Sequence, residues 1–162
     1  MIKNICRMCG FSLLLSSVQM SSAIVPFELN QQRVDAQLLV GKWKCQSGVP
    51  EYQIETSADD EYRSDGTYLS KSHTVIKSGQ LVQKSEIQVQ AKWALSDNNI
   101  RLSHIELKAV RSDSPQYEVQ LKKVFQQFNW AENRILSLSS GLMAFLPVAP
   151  RASDLPIRCQ KH

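Results

Sequence analysis

The chain has 162 residues and a formal net charge of +4, with its Lys and Arg scattered along it and no concentrated basic stripe. A nucleic-acid partner, which wants such a stripe, is therefore excluded from the leading readings. No internal repeat, low-complexity tract or linker interrupts the chain, and its length suits one domain.

Residues 1–23 have the layout of a secretory signal peptide. Lys3 and Arg7 make a positive start, Phe11 to Val18 a short apolar core, and Ser21-Ser22-Ala23 a small-residue cleavage site. The apolar run is far shorter than the roughly 20 residues that span a bilayer. Cys6 and Cys9 precede that core, whereas a lipoprotein signal places its cysteine after it, so lipidation is disfavoured. Cleavage near Ala23 would leave 139 residues, with 17 basic against 15 acidic side chains and a net charge of +2. The expected location is periplasmic or secreted. Only Cys45 and Cys159 would remain, and in an oxidising compartment two cysteines most simply pair. The alternative is two independent buried thiols.

Residues 24–37 are polar and weakly patterned, an extended lead-in with a turn of helix expected over Val34 to Leu39 to cover one barrel end. Trp43 and Cys45 then alternate with Lys42, Lys44 and Gln46, the period of a strand with one buried face. Gly48-Val49-Pro50 ends that strand. Tyr52, Ile54, Thr56, Ala58 and Tyr62 share one face of the next run; Asp60 interrupts it, and a bulge or the barrel rim is expected there. Ser64-Asp65-Gly66-Thr67 is the strongest hairpin signal, because Asp-Gly accepts the positive φ of a tight turn. Tyr68 to Ile76 returns with both faces mixed, and Lys77-Ser78-Gly79-Gln80 turns again. Ile87, Val89, Ala91, Trp93 and Leu95 form the clearest alternation, followed by turn chemistry at Ser96 to Asn99. The apolar set then slips from Ile100 and Leu102 to Ile105, Leu107 and Ala109, as a bulge near Ser103-His104 would produce.

At Ser114-Pro115 the period changes, with Ser as N-cap and Pro at the first helical position. Tyr117, Leu121, Val124, Phe125 and Phe128 fall on one helical face, so residues 115–128 are predicted to be one amphipathic helix packed on the sheet or closing a barrel mouth. Strands resume at Ile135 to Ser139 and Leu142 to Val148, with Pro147 and Pro150 closing that hairpin, and Leu155 to Gln160 brings Cys159 back. The expected fold is mostly β: one antiparallel meander of about eight strands over residues 38–162, closed into a barrel. Closure removes the exposed edges of a long meander, and makes the first and last strands neighbours, where a Cys45–Cys159 bond would tie them and Trp43 would plug one end.

Gly41-Lys42-Trp43 at the start of the first strand resembles the Gly-x-Trp motif of lipocalins and of bacterial lipocalin-like secreted proteins. The short helical lead-in before it and the Asp-Gly-Thr-Tyr hairpin at Asp65 to Tyr68 agree with that resemblance. It implies a barrel whose closed end is sealed by Trp43 and whose open end takes small apolar molecules. The family's late Arg that packs on the Trp has Arg158 as its candidate, on the parity opposite to Cys159.

Catalytic chemistry is not expected. His73, His104 and His162 have no paired metal-ligand spacing, and no Gly-rich phosphate loop, nucleophile elbow or His-Glu-x-x-His motif occurs. No metal and no cofactor is expected. A binding reading rests on Tyr52, Ile54, Tyr62, Tyr68, Val89 and Trp93, a line of aromatic and apolar residues on expected inner faces. Apolar walls with a few hydroxyls suit a small apolar or amphipathic molecule. Eight-stranded barrels are just wide enough to be packed solid or to hold one small ligand, so both states stay open. The alternative is a protein-binding or inhibitor module that docks through rims at Ser47 to Pro50 and Asp59-Asp60-Glu61. The latter run would be a weak Ca²⁺ or cationic-partner site, or simply a solvated edge. A monomer with no transmembrane segment is expected.

Overall fold

A computed structural model describes residues 34–162; the expected leader, and the lead-in up to residue 33, lie outside the described residues. Eight strands follow one another: β1 (Gly41–Val49), β2 (Ile54–Tyr62), β3 (Thr67–Ser78), β4 (Leu81–Ser96), β5 (Asn99–Ser112), β6 (Trp130–Leu138), β7 (Leu142–Ala149) and β8 (Ile157–Lys161). Helix α1 (Ala36–Leu39) precedes them and helix α2 (Pro115–Gln127) separates β5 from β6. Each strand pairs antiparallel with the next, and β8 pairs back to β1 to close the barrel. Closure leaves the sheet without a free edge, the arrangement the meander needs.

Turn chemistry explains the tight returns. Gly66 takes φ +78, while the Asp65 side chain accepts from the Thr67 N–H at 2.8 Å and the Arg63 N–H donates to the Thr67 carbonyl at 2.9 Å. Gly79 (φ 60) and Asp97 (φ 53) supply the left-handed positions of the next two turns. The expected bulge is present: His104 adopts φ 53 where the β4–β5 register slips between Gln90 and Lys92. A second slip, between Gln88 and Val89, skips Lys108. It returns Val110, rather than Ala109, to the buried face. No bulge occurs at Asp60, where the β1–β2 and β2–β3 registers run through unbroken. Pro147 does not end β7 but lies within it, beside a register slip against β6.

One end of the barrel is packed solid. Trp43, Tyr62, Leu39, Ile100 and Met143 are its largest fully buried side chains, and α1 lies across this end with Leu39 turned inward. The Trp43 indole Nε1–H donates to the Leu39 carbonyl at 2.8 Å. The cation over the indole is Lys161, not Arg158: its ammonium sits 5.1 Å from the ring centroid and donates to the Leu38 carbonyl at 3.0 Å. Arg158 is exposed. Gly41 is needed here, because its φ is +136 and any Cβ would collide with the Lys161 stem.

Helix α2 starts as its sequence dictates, the Ser114 hydroxyl accepting from the Tyr117 N–H. It packs along β5 beyond Ser103, where β6 no longer pairs with that strand. It covers that flank rather than plugging the mouth, and none of its side chains is fully buried. Among the described residues no helix is long and apolar enough to cross a membrane.

Candidate functional site

Above the packed end, the inward positions of the first strands carry small hydroxyl side chains. Register places Ser47 opposite Thr56, Thr56 opposite Thr74, and Ala58 opposite Ser72, with Asp60 between Trp43 and Ser70. The Thr56 and Thr74 hydroxyls hydrogen-bond to each other at 3.1 Å. Side chains this short do not meet across the lumen, and a cavity of about 220 Å³ remains. On one wall it meets Ser47, Thr56, Asp60, Tyr68, Ser70 and Ser72; on the other, Phe145 and Ile157 supply apolar surface and Asn133 an amide. The Cys45–Cys159 disulfide joins β1 to β8 at directly opposed positions, and Cys45 borders the cavity.

Asp60 is the unusual group. It is 5% exposed, inside the barrel rather than at a rim, which corrects the expectation for the acidic run. Alternation splits that run: Asp59 faces out to Lys44 at 3.7 Å and Glu61 to Arg63 at 2.9 Å, while Asp60 turns in. Its Oδ1 has no hydrogen-bond partner among the described residues. Burial raises its pKa; hydrogen bonds from Ser70 and Tyr68 pull the other way, and the neighbouring Asp59 charge adds to the rise. Burial, with the Asp60 charge beside them, also pushes the Tyr62 and Tyr68 phenols well above their ordinary value. Both therefore remain neutral hydroxyls.

A stability consequence follows with a definite sign. An acid whose folded pKa is raised binds its proton more tightly when folded. Its contribution therefore favours folding below the unfolded value of 3.8, declines as pH rises through the raised folded value, and is a constant penalty above both. Asp60→Asn should stabilise the protein at neutral pH by about 1–3 kcal/mol, because it keeps the shape of the side chain and removes the buried charge. The gain should vanish in strong acid. Denaturant melts of both proteins across the acid range check this, and a variant no more stable than the parent at neutral pH would refute it.

Of the six residues expected to line a site, Tyr62, Tyr68 and Trp93 meet in one aromatic cluster, and Tyr52, Ile54 and Val89 lie outside it. Tyr68 alone among them borders the cavity. Tyr62 fills the packed end, its ring centroid 4.9 Å from Tyr68 and 5.7 Å edge-on from Trp93. The Trp93 indole N–H donates to the Arg63 carbonyl at 2.9 Å and so secures the β2–β3 turn. Val89 packs against the buried core. Ile54 is half-buried at the mouth, beside a surface depression that it shares with Ile76 and Gly79. Tyr52 is 71% exposed in a 3₁₀ turn (Pro50–Tyr52), outside the strand in which its alternation had placed it. Large side chains reach across a narrow barrel and fill it, so the open volume lies where the small ones are. The residues that sequence reasoning passed over are Asp60, Ser70, Ser72 and Phe145. Their signal was the Ser70, Ser72, Thr74 alternation on one parity of β3.

Among the described residues no group of three His, Cys, Asp or Glu side chains could hold a metal ion. His73 lies on the outer surface near Glu86, at 3.7 Å, and His104 is exposed at the bulge. A comparison with protein-family models finds no match for this chain, and a comparison with curated proteins finds none either.

Proposed function

We propose that this chain is an exported, non-enzymatic binding protein that holds a small amphipathic molecule inside its barrel. The observation that carries the reading is the lumen cavity of about 220 Å³, hydroxyl-lined on β1–β3 and apolar at Phe145 and Ile157. Its volume lies below the roughly 300–1,000 Å³ of sites for drug-sized ligands. That favours a compact molecule over a lipid with a long acyl chain. The lipocalin-like Gly41-Lys42-Trp43 motif supports the same reading, and the closed sheet suits a monomer. The leader-like residues 1–23 and the disulfide support a periplasmic or secreted location.

Native mass spectrometry of the protein purified from its own exported pool, without reductant, tests this. The expected spectrum is a monomer lacking two thiol hydrogens and carrying a small adduct that collisional activation removes. A ligand-free spectrum, together with no thermal stabilisation by any of a panel of small amphiphiles, would overturn it.

One observation favours a second reading, a protein-docking module. Tyr52 and, on the adjacent turn, Leu81 and Val82 are exposed at the open end by 71%, 67% and 48%, and the Lys77 N–H ties the two turns by donating to the Gln53 carbonyl at 3.1 Å. On that reading the lumen is ligand-free, and replacing Tyr52 and Leu81 with Ala abolishes a complex without lowering the melting temperature.

A further inference from the structure

We infer that the molecule taken into the barrel presents a protonated amine to Asp60. The inference rests on the binding reading above and specifies the chemistry of its ligand. Two independent observations carry it: a cavity in the lumen, and on its wall a carboxylate that is 5% exposed with an oxygen lacking any hydrogen-bond partner. A buried carboxylate is costly unless it is paired with a charge and fully hydrogen-bonded. Among the described residues Asp60 forms no ion pair; of the lysines one register position away, Lys44 is turned outward to Asp59, Lys71 pairs with Glu86, and Lys42 is exposed. A folded chain that keeps an acid in this position therefore lacks its counter-charge, and the cavity that the Asp60 side chain borders is where one fits.

The surrounding groups select among cations. A metal ion would need several anionic or imidazole ligands, and the cavity offers one carboxylate. An ammonium instead has three donors on a compact centre. The Asp60 carboxylate takes one, and the hydroxyl oxygens of Ser70 and Ser72, on the same wall, are acceptors for the others. Tyr68, whose aromatic character favours a cation, borders the same space. A guanidinium would require a planar, paired acceptor, and Ser70 and Tyr68 already compete for the Asp60 carboxylate. Phe145 and Ile157, across the lumen, leave apolar surface for the carbon skeleton. A compact primary amine with a short hydrocarbon body satisfies both walls.

Isothermal titration of the purified, oxidised protein with two isosteric series provides the test. The probes are 2-phenylethylamine, 2-phenylethanol and phenylacetate, and hexylamine, hexanol and hexanoate. The expected result is that in at least one series the amine binds about tenfold or more tighter than the alcohol, the margin of a charge-assisted hydrogen bond, with no measurable binding of the carboxylate. Asp60→Asn should retain alcohol binding and lose the preference for the amine. Alcohol binding as tight as amine binding, or a preference that survives in Asp60→Asn, overturns the inference and leaves the cavity reading intact. No binding by any of the six overturns both. The amine-to-alcohol ratio of the unsubstituted protein decides the matter even if the variant does not fold.

Discussion

Trp43→Ala is expected to lower the free energy of unfolding by about 3–5 kcal/mol, the range for deleting a large buried aromatic side chain. The indole is completely buried and packs in the same core as Leu39, Tyr62, Ile100 and Met143. Its removal opens a void at the one end of the barrel that is packed solid. Two polar contacts are lost with it. The Leu39 carbonyl loses the Nε1–H donor at 2.8 Å, and the Lys161 ammonium, held over the ring at 5.1 Å, loses its π-face. Through Leu39 the indole also anchors α1, which has only four residues and cannot hold itself as an isolated helix. Trp43→Phe separates these contributions, because it keeps most of the apolar volume and deletes the N–H. It should cost markedly less than the Ala variant, and both are read from denaturant melts followed by circular dichroism. A Trp43→Ala protein within about 1 kcal/mol of the parent would show that the packed end does not depend on this residue.

Reducing the Cys45–Cys159 bond is expected to destabilise the barrel by a similar amount, roughly 4–5 kcal/mol on the chain-entropy account for a sequence separation of 114. For a domain of this size that corresponds to a fall in melting temperature of about 10–20 °C. The position of the bond adds to the argument. The β1–β8 seam runs only from Trp43–Lys161 to Gln46–Arg158, whereas β1 and β2 pair over the whole length from Gly41–Tyr62 to Val49–Ile54. The seam that closes the barrel is therefore held by few backbone hydrogen bonds, and β8 is a five-residue strand. The bond sits in the middle of that seam. Replacing both cysteines with Ser should lower the melting temperature to match the reduced parent. A Cys-to-Ser protein that melts with the oxidised parent would remove the seam from the account of stability.

Much of this architecture is legible in the residues because each feature has a local cause. Ser114 and Pro115 start α2 through capping and a preset φ, and its sequence period is that of a helix wherever it packs. Asp65-Gly66 makes its turn from its own side chain and its own tolerance of positive φ. Alternation identifies β1 and β4, and it puts Cys45 on the buried face of β1. The slip at His104 is visible as a change of parity, whereas the one at Lys108 is hidden because Ala109 and Val110 are both apolar.

The functional reading depends on what no local signal carries. Alternation in β2 already put Asp60 on the parity of Ala58 and Tyr62, yet an ionisable group amid an apolar face most often marks a strand's exit to solvent. What decides otherwise is the company on other strands: Ser70 beside it on β3, Trp43 beside it on β1, and Phe145 across the lumen. The placement of the expected binding line turns on the same point. Aromatic side chains on inward positions supply volume, and whether that volume lines a cavity or fills it depends on how far the opposite wall stands. Tyr62 and Trp93 meet their partners at the narrow, packed end, while the hydroxyl residues of β3 meet only their neighbours on β2 and border open space. Sequence by itself therefore determined the strands, the helix and the turns, each of which is set by neighbours in the chain. Only the closed tertiary structure decided which inward side chains are core and which face open space, because that is a property of distances across the barrel.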